Sequence, residues 1–249
     1  MAASDDLKRT SAADADTLAV LVTGFNDWKD LGEPPNVWRC RDNPSCRLLV
    51  GAATSDKPET FAGPLVAQLR GREFAGSKVQ WTFATLPVTW EVAATSTDYA
   101  AYDVVVHLGL GVYDRTDTVF VEDGAFNRRK GTDAAGRKLE AAIDATLPQD
   151  VLTPAPQAGI TASVRAVDGR QFGAYRVEVK AAREANTYLC NETHFSALQA
   201  VAASRRDQGR LERAYFVHIP FAQDEDYGVL ADGVAGVVAA LVGAGAARP

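Results

Sequence analysis

Cys190 stands in Thr187-Tyr188-Leu189-Cys190-Asn191-Glu192, a stretch that reads as the opening turns of a helix. A helix N-terminus carries partial positive charge, which favours thiolate over thiol, and the thiolate is the attacking species. Two apolar runs offer the groups that would complete such a site. Tyr215-Phe216-Val217-His218-Ile219-Pro220 holds a histidine, and Thr118-Val119-Phe120-Val121-Glu122 ends in a carboxylate. A cysteine at a helix start, with histidine and acid at strand ends, forms a set of nucleophile, base and orienting acid. His194 lies four residues after Cys190 on the same helix face and stands second to His218 as a base. A Cys190–His194 metal pair has no evident third and fourth ligands, so no metal site is expected. Asn191-Glu192-Thr193 spells a glycosylation sequon, which the lack of a signal sequence makes accidental.

The elements that would position these groups alternate between strand and helix. Residues 18–23 are a β-rich apolar run, followed by a loop over 24–44 with breakers at Gly32, Pro34 and Pro35. A helix is expected at 64–70 and a strand within 79–84. The apolar run at 102–107 has the character of a strand covered on both faces. Leu139, Ile143 and Leu147 recur at helical spacing and predict a helix over 134–147. Residues 161–167 and 173–179 read as two strands of a hairpin turning at Asp168-Gly169. The nucleophile helix is expected over 185–203, a strand at 215–219 and a last helix at 229–241. This alternation predicts a single-domain α/β fold, a three-layer α/β/α sandwich with a mostly parallel central sheet. Residues 17–249 would form that domain, preceded by a flexible segment over 1–16. Sites in such sheets gather at the carboxyl ends of strands, where His107, Glu122 and His218 fall.

Composition limits the function classes. The 249 residues are 47% hydrophobic, enough for a full core in one domain. A formal net charge of −6 argues against nucleic acid as a partner. Residues 1–16 lack the basic start and long apolar stretch of a signal peptide. No run reaches the roughly 18 apolar residues of a membrane span, so a soluble, cytoplasmic protein is expected with no membrane partner. Three cysteines do not make a disulfide framework; Cys40 and Cys46 could pair in an oxidising setting, but two free thiols in a loop are the favoured expectation.

Several separated segments resemble, in order, those of the pyroglutamyl peptidase I (pyrrolidone-carboxylate peptidase) family. Val22-Thr23-Gly24-Phe25 with Trp28 is similar to its opening glycine-aromatic loop, and Asn43-Pro44-Ser45 and Leu86-Pro87-Val88 resemble two later motifs. Asp103 to Gly109 is similar to its strand leading into a glycine-containing loop. Glu122-Asp123-Gly124-Ala125-Phe126-Asn127, Tyr188-Leu189-Cys190-Asn191 and Phe216-Val217-His218-Ile219-Pro220 resemble its acid, nucleophile and histidine motifs.

The resemblance implies a cysteine exopeptidase acting on peptides with an N-terminal pyroglutamate, with no metal or organic cofactor. Cys190 would be the nucleophile, His218 the general base and acid, and Glu122 the group orienting the imidazole. Phe25 and Trp28 would wall a pocket for the flat lactam, with Asn43 also binding substrate, since aromatic faces suit a planar uncharged group. His107 would be a hydrogen-bonded residue near the site. The chain departs from the family at Asn186, which replaces a glycine in a turn that asparagine tolerates in left-handed backbone. It also departs after Gly109, where the loop is not glycine-rich, and Arg128 or Arg129 would take the place of an oxyanion arginine. Extra length through Gly169 and Arg170 suggests an inserted hairpin that reshapes the pocket or an oligomer contact, so a homo-oligomer is compatible. Two other readings are a related cysteine hydrolase with altered acyl specificity and a non-catalytic binding module.

Overall fold

The computed structural model describes residues 17–29, 37–52, 60–70, 72, 78–112, 114–147, 152–153, 158–182 and 186–243. The expected flexible segment 1–16, the breakers Gly32, Pro34 and Pro35, and the expected helix start at Ala185 lie outside them. In chain order come β1 (Thr17–Phe25), the short strands β2 (Trp28–Lys29) and β3 (Val37–Trp38), a 3-10 turn at Cys40–Asp42, and α1 (Pro44–Val50). They are followed by α2 (Pro64–Leu69), β4 (Lys78–Leu86), α3 (Val92–Ser96), β5 (Val104–Val112) and β6 (Thr118–Asp123). Next stand β7 (Ala125–Phe126), β8 (Arg129–Thr132), β9 (Lys138–Ala141), β10 (Leu152–Thr153) and α4 (Ala158–Arg165). The chain closes with β11 (Gln171–Phe172), β12 (Tyr175–Ala181), α5 (Leu189–Arg206), β13 (Arg213–Pro220) and α6 (Tyr227–Gly243).

Seven strands form one sheet in the order β11-β12-β6-β13-β5-β1-β4. β4, β1, β5 and β13 run parallel, as do β12 and β6, but β13 meets β6 antiparallel. Helices α1, α2, α4 and α6 pack together on one face, and α3 and α5 on the other. This is the expected α/β/α arrangement with a mostly parallel sheet. The core strands are covered on both faces: Val104, Val105 and Val106 of β5 and the whole of β13 are buried. At the end of the sheet away from His218, Arg210 binds the Asp103 carboxylate with Nε at 2.6 Å and Nη2 at 2.7 Å. The same carboxylate accepts the Ala19 N–H at 2.6 Å, so one ion pair ties β1 and β5 to the chain entering β13.

Local expectations fail where side chains compete with backbone. The expected helix over 134–147 is instead the β8–β9 hairpin and a following turn. Asp133 accepts the N–H groups of Ala135 and Arg137, and Asn127 accepts those of Ile143 and Asp144. These bonds satisfy the backbone without a helix. Ile143 still buries, against Ala125, Phe195 and Leu198. Residues 161–167, expected as a strand, lie mostly in α4, which buries Val164 and brings Ser163 Oγ 2.7 Å from Tyr215 Oη. The hairpin turns at Gly173, with φ of 56°, not at Asp168-Gly169. Cys40 and Cys46, expected as free thiols, are joined in a disulfide. The 3-10 turn running into α1 brings their Cα atoms to 5.1 Å, within bridging range.

Candidate active site

Glu122 and His218 lie on β6 and β13, which run in opposite directions. His218 stands opposite Phe120, so Glu122, two residues on, is its diagonal neighbour on the same face. His218 Nδ1 is 2.9 Å from Glu122 Oε1, and both side chains are over nine-tenths buried, with exposures of 9% and 8%. The expected gathering at parallel strand ends is therefore replaced here by an antiparallel junction. Cys190 is the second residue of α5, whose N-cap Tyr188 supplies no side-chain cap. The first N–H groups of a helix have no partner inside it and can face a developing negative charge.

His218 is hydrogen-bonded to both Cys190 and Glu122. Burial pushes its pKa down, but hydrogen bonding and charge from Cys190 and then Glu122 outweigh burial and push it up to about 10. The imidazole thus holds its proton at neutral pH between a sulfur and a carboxylate. Asn186 adds a long 3.5 Å contact from Nδ2 to Glu122 Oε1. Its backbone is not left-handed, so asparagine here keeps an ordinary conformation and turns its amide toward the acid.

Two glycines make room for this set: Gly109, expected at a strand end, and Gly111, expected in the loop after it, both lie within β5. A Cβ on Gly111 would come within 2.5 Å of His218 Cδ2, and one on Gly109 within 3.0 Å of Cys190 Sγ. The available signal was a Gly-x-Gly spacing inside a strand, which marks close approach of another group. Phe216, fully buried, separates the chain's three histidines. Its ring centre lies 4.8 Å from that of His218, 6.1 Å from His194 and 6.3 Å from His107.

The other two histidines are held neutral. Burial pushes His107 down to about 3, and its ring nitrogens meet Thr23 Oγ1 at 2.6 Å and Tyr99 Oη at 3.3 Å. His194 also falls to about 3, first through burial and then through repulsion from His107 and His218. Its Nδ1 has no partner among the described residues. Arg128 pairs with Glu140, and Arg129 with Glu91 and Glu192, so both are engaged by carboxylates. The Asn191 amide donates to the carbonyls of Phe126 and Arg128 and accepts from Phe126 N–H, which anchors the start of α5 and buries the sequon asparagine.

Cys190 stands where two cavities meet. One, of about 130 Å³, is lined by Phe25, Trp28, Trp38, Asn43, Leu110 and Tyr188 among others. It is well below the roughly 300 Å³ at which drug-sized sites begin. Phe25, Trp28 and Asn43 were expected here; Trp38, Leu110 and Tyr188 were not. Trp28 donates from Nε1 to Tyr188 Oη at 3.3 Å and packs edge-on to Trp38 at 5.7 Å. Asn43 lends its shape more than its hydrogen bonds. Its Nδ2 donates to the Phe25 and Asn26 carbonyls, and its Oδ1 accepts from Ser45 N–H and Oγ–H. The second cavity, of about 500 Å³, is open and more polar than the first, and His218 and Glu122 line it.

Among the described residues, no group of three or more His, Cys, Asp or Glu side chains is placed to hold a metal ion, and no helix is long and apolar enough to cross a membrane. Fold and site together define an α/β protein with a hydrogen-bonded cysteine, histidine and glutamate at the mouth of a small aromatic cavity. Among solved structures, the chain is similar to a mutant pyrrolidone carboxyl peptidase from Pyrococcus furiosus, with 18% identity and a TM-score of 0.59 over 90% of this chain and 98% of that one. It is similar to the pyrrolidone carboxyl peptidase from Thermococcus litoralis, with 17% identity and a TM-score of 0.57 over 90% of this chain and 93% of that one. The likeness is one of fold. No protein-family model and no curated protein matches the chain.

Proposed function

We propose that the protein is a cysteine exopeptidase that removes an N-terminal pyroglutamyl residue from peptides. The observation that carries this reading is Cys190, hydrogen-bonded to a His218 that Glu122 holds at 2.9 Å, beside an aromatic cavity of about 130 Å³. A cavity of that size and lining suits one flat, uncharged ring, and a lactam has no ammonium group that would require an acidic anchor. Cys190 as thiolate attacks the lactam-bearing carbonyl and forms a C–S bond, while N–H groups at the start of α5 face the oxyanion. His218 then gives its proton to the departing amine as the C–N bond breaks. Water, deprotonated by His218, attacks the thioester, and the released thiol sulfur leaves as thiolate. Glu122 keeps the imidazole in one orientation throughout.

The net charge of −6 speaks against a polyanionic partner, and this chemistry needs no organic cofactor. The cytoplasmic expectation has a structural consequence. In a reducing compartment Cys40 and Cys46 stand as thiols, and the Asn43 corner of the cavity loses its cross-link.

The test is incubation with a chromogenic pyroglutamyl amide. The purified protein should release the amine, iodoacetamide should stop it, and C190A should be inert while keeping the native circular dichroism spectrum. Turnover by C190A, or none by wild type, would refute this reading.

A further inference from the structure

The larger cavity beside Cys190 is lined by His218 and Glu122 and, next to them, by Phe120, Arg115 and Lys180. Within the proposed reaction its role follows from where His218 points. The proton donor must reach the departing amine, and His218 faces this cavity and not the aromatic one. The peptide beyond the lactam therefore lies here. Lys180 Nζ sits 4.4 Å from the Phe120 ring centre and the Arg115 guanidinium 4.9 Å from it. One carboxylate holds both cations. Glu178 takes Arg115 in a two-toothed pair through Nη1 and Nη2, and takes Lys180 Nζ at 3.0 Å. Arg115 answers to Asp114 and Asp117 as well as to Glu178, so the wall carries no excess charge, and what it offers is the hydrogens that Lys180 keeps. Arg115 has spent its fork on Glu178. An ammonium has three hydrogens, and Glu178 takes one of those on Lys180.

We propose that Lys180, poised over Phe120 by Glu178, forms a leaving-side subsite for a carboxylate within the first residues after the lactam. This inference rests on the proposed pyroglutamyl peptidase reading. The carboxylate has two sources: the free end of a pyroglutamyl dipeptide, or an acidic side chain in a longer peptide. Lys180 is 30% exposed at its side chain, so the attraction is that of a partly solvated pair. Such pairs contribute about 0.2–1 kcal/mol, a preference of roughly fivefold at most. Asp114 lines the same cavity and acts on Arg115, so Lys180 is the cation that carries the attraction.

Two substrate pairs measure it, each as a ratio of kcat/KM at low salt. Pyroglutamyl-alanine is compared with its C-terminal amide, and pyroglutamyl-glutamate amide with pyroglutamyl-glutamine amide. A ratio of roughly two to five in favour of the carboxylate is expected in at least one pair, and which pair shows it identifies the source. K180Q should bring that ratio to about one, and E178Q should raise it by freeing both cations. Half-molar salt should flatten it in wild type. Ratios of one in both wild-type pairs, or a K180Q ratio equal to wild type, would overturn the subsite while leaving the peptidase reading intact. No hydrolysis of these peptides or of the neutral chromogenic amide would overturn the peptidase reading itself.

Discussion

Glu122 and His218 are diagonal neighbours across the one place where the two parallel parts of the sheet meet antiparallel, and their side chains touch at 2.9 Å. Carboxylate and imidazole thus come from strands of opposite direction, and the cysteine arrives from a helix packed on β13. Removing one strand's hold on the other should alter the proton at His218 before it alters the fold.

Glu122→Gln tests that relation. The His218 pKa is raised to about 10 with help from the Glu122 hydrogen bond and charge. A raised value keeps the proton on as pH climbs, and the departing amine needs that proton, so kcat/KM should hold through pH 8 and fall near 10. In the glutamine variant the alkaline limb should move down toward 6.5, and kcat/KM at pH 7.5 should fall roughly tenfold or more. An unshifted limb would show that Cys190 alone holds the proton.

Gly111→Ala places a methyl group 2.5 Å from His218 Cδ2. The ring must move, so kcat should fall by roughly a hundredfold, the scale of a 1 Å misplacement, with the aromatic cavity and KM little changed. Steady-state kinetics with one chromogenic substrate decides it. Full activity would mean that β5 yields and the imidazole does not.

Trp28→Ala opens the aromatic cavity. Truncating a packed aromatic anchor costs about 2 kcal/mol or more, so kcat/KM should drop at least roughly tenfold. The rate of Cys190 alkylation by a small reagent should change little. A parallel collapse of both would show a general structural defect.

Reduction of the Cys40–Cys46 bridge loosens the corner that holds Asn43, which lies between the two cysteines and fixes the carbonyls of Phe25 and Asn26. The reduced protein should show a raised KM with kcat nearly unchanged, and a lower Tm. Equal KM in reduced and oxidised protein, with thiol titration verifying reduction, would separate the bridge from the cavity.

His107 and His194, both held near 3, set the acid stability. A histidine whose folded pKa is depressed takes up its proton only on unfolding, so stability is full above 6.5 and is lost as pH falls from 6.5 toward 3. Each adds about 1.4 kcal/mol per pH unit to the slope there. Urea unfolding from pH 4 to 7 should show the slope reduced by one proton in His194→Leu. An unchanged slope would mean that His194 is protonated in the native state.

Much of the layout was legible in the sequence, because strongly apolar runs and uninterrupted helical spacing leave few alternatives. β1, β4, β5, β13, α2, α5 and α6 lie close to where periodicity predicted them. Cys190, His218 and Glu122 were legible as a candidate set from residue type at element ends together with the motifs of the resembled family, and the structure brings the three side chains together. Periodicity failed over 134–147, where the Asp133 and Asn127 side chains took the backbone bonds that a helix would use. The Cys40–Cys46 pairing, the crossing of β6 and β13, the glycines under His218 and the Lys180 wall appear only in three dimensions. Each depends on atoms brought together from distant or differently turned segments. Sequence spacing records which groups a chain carries and on which face of an element they stand; which face meets which is decided by the packing of the whole sheet.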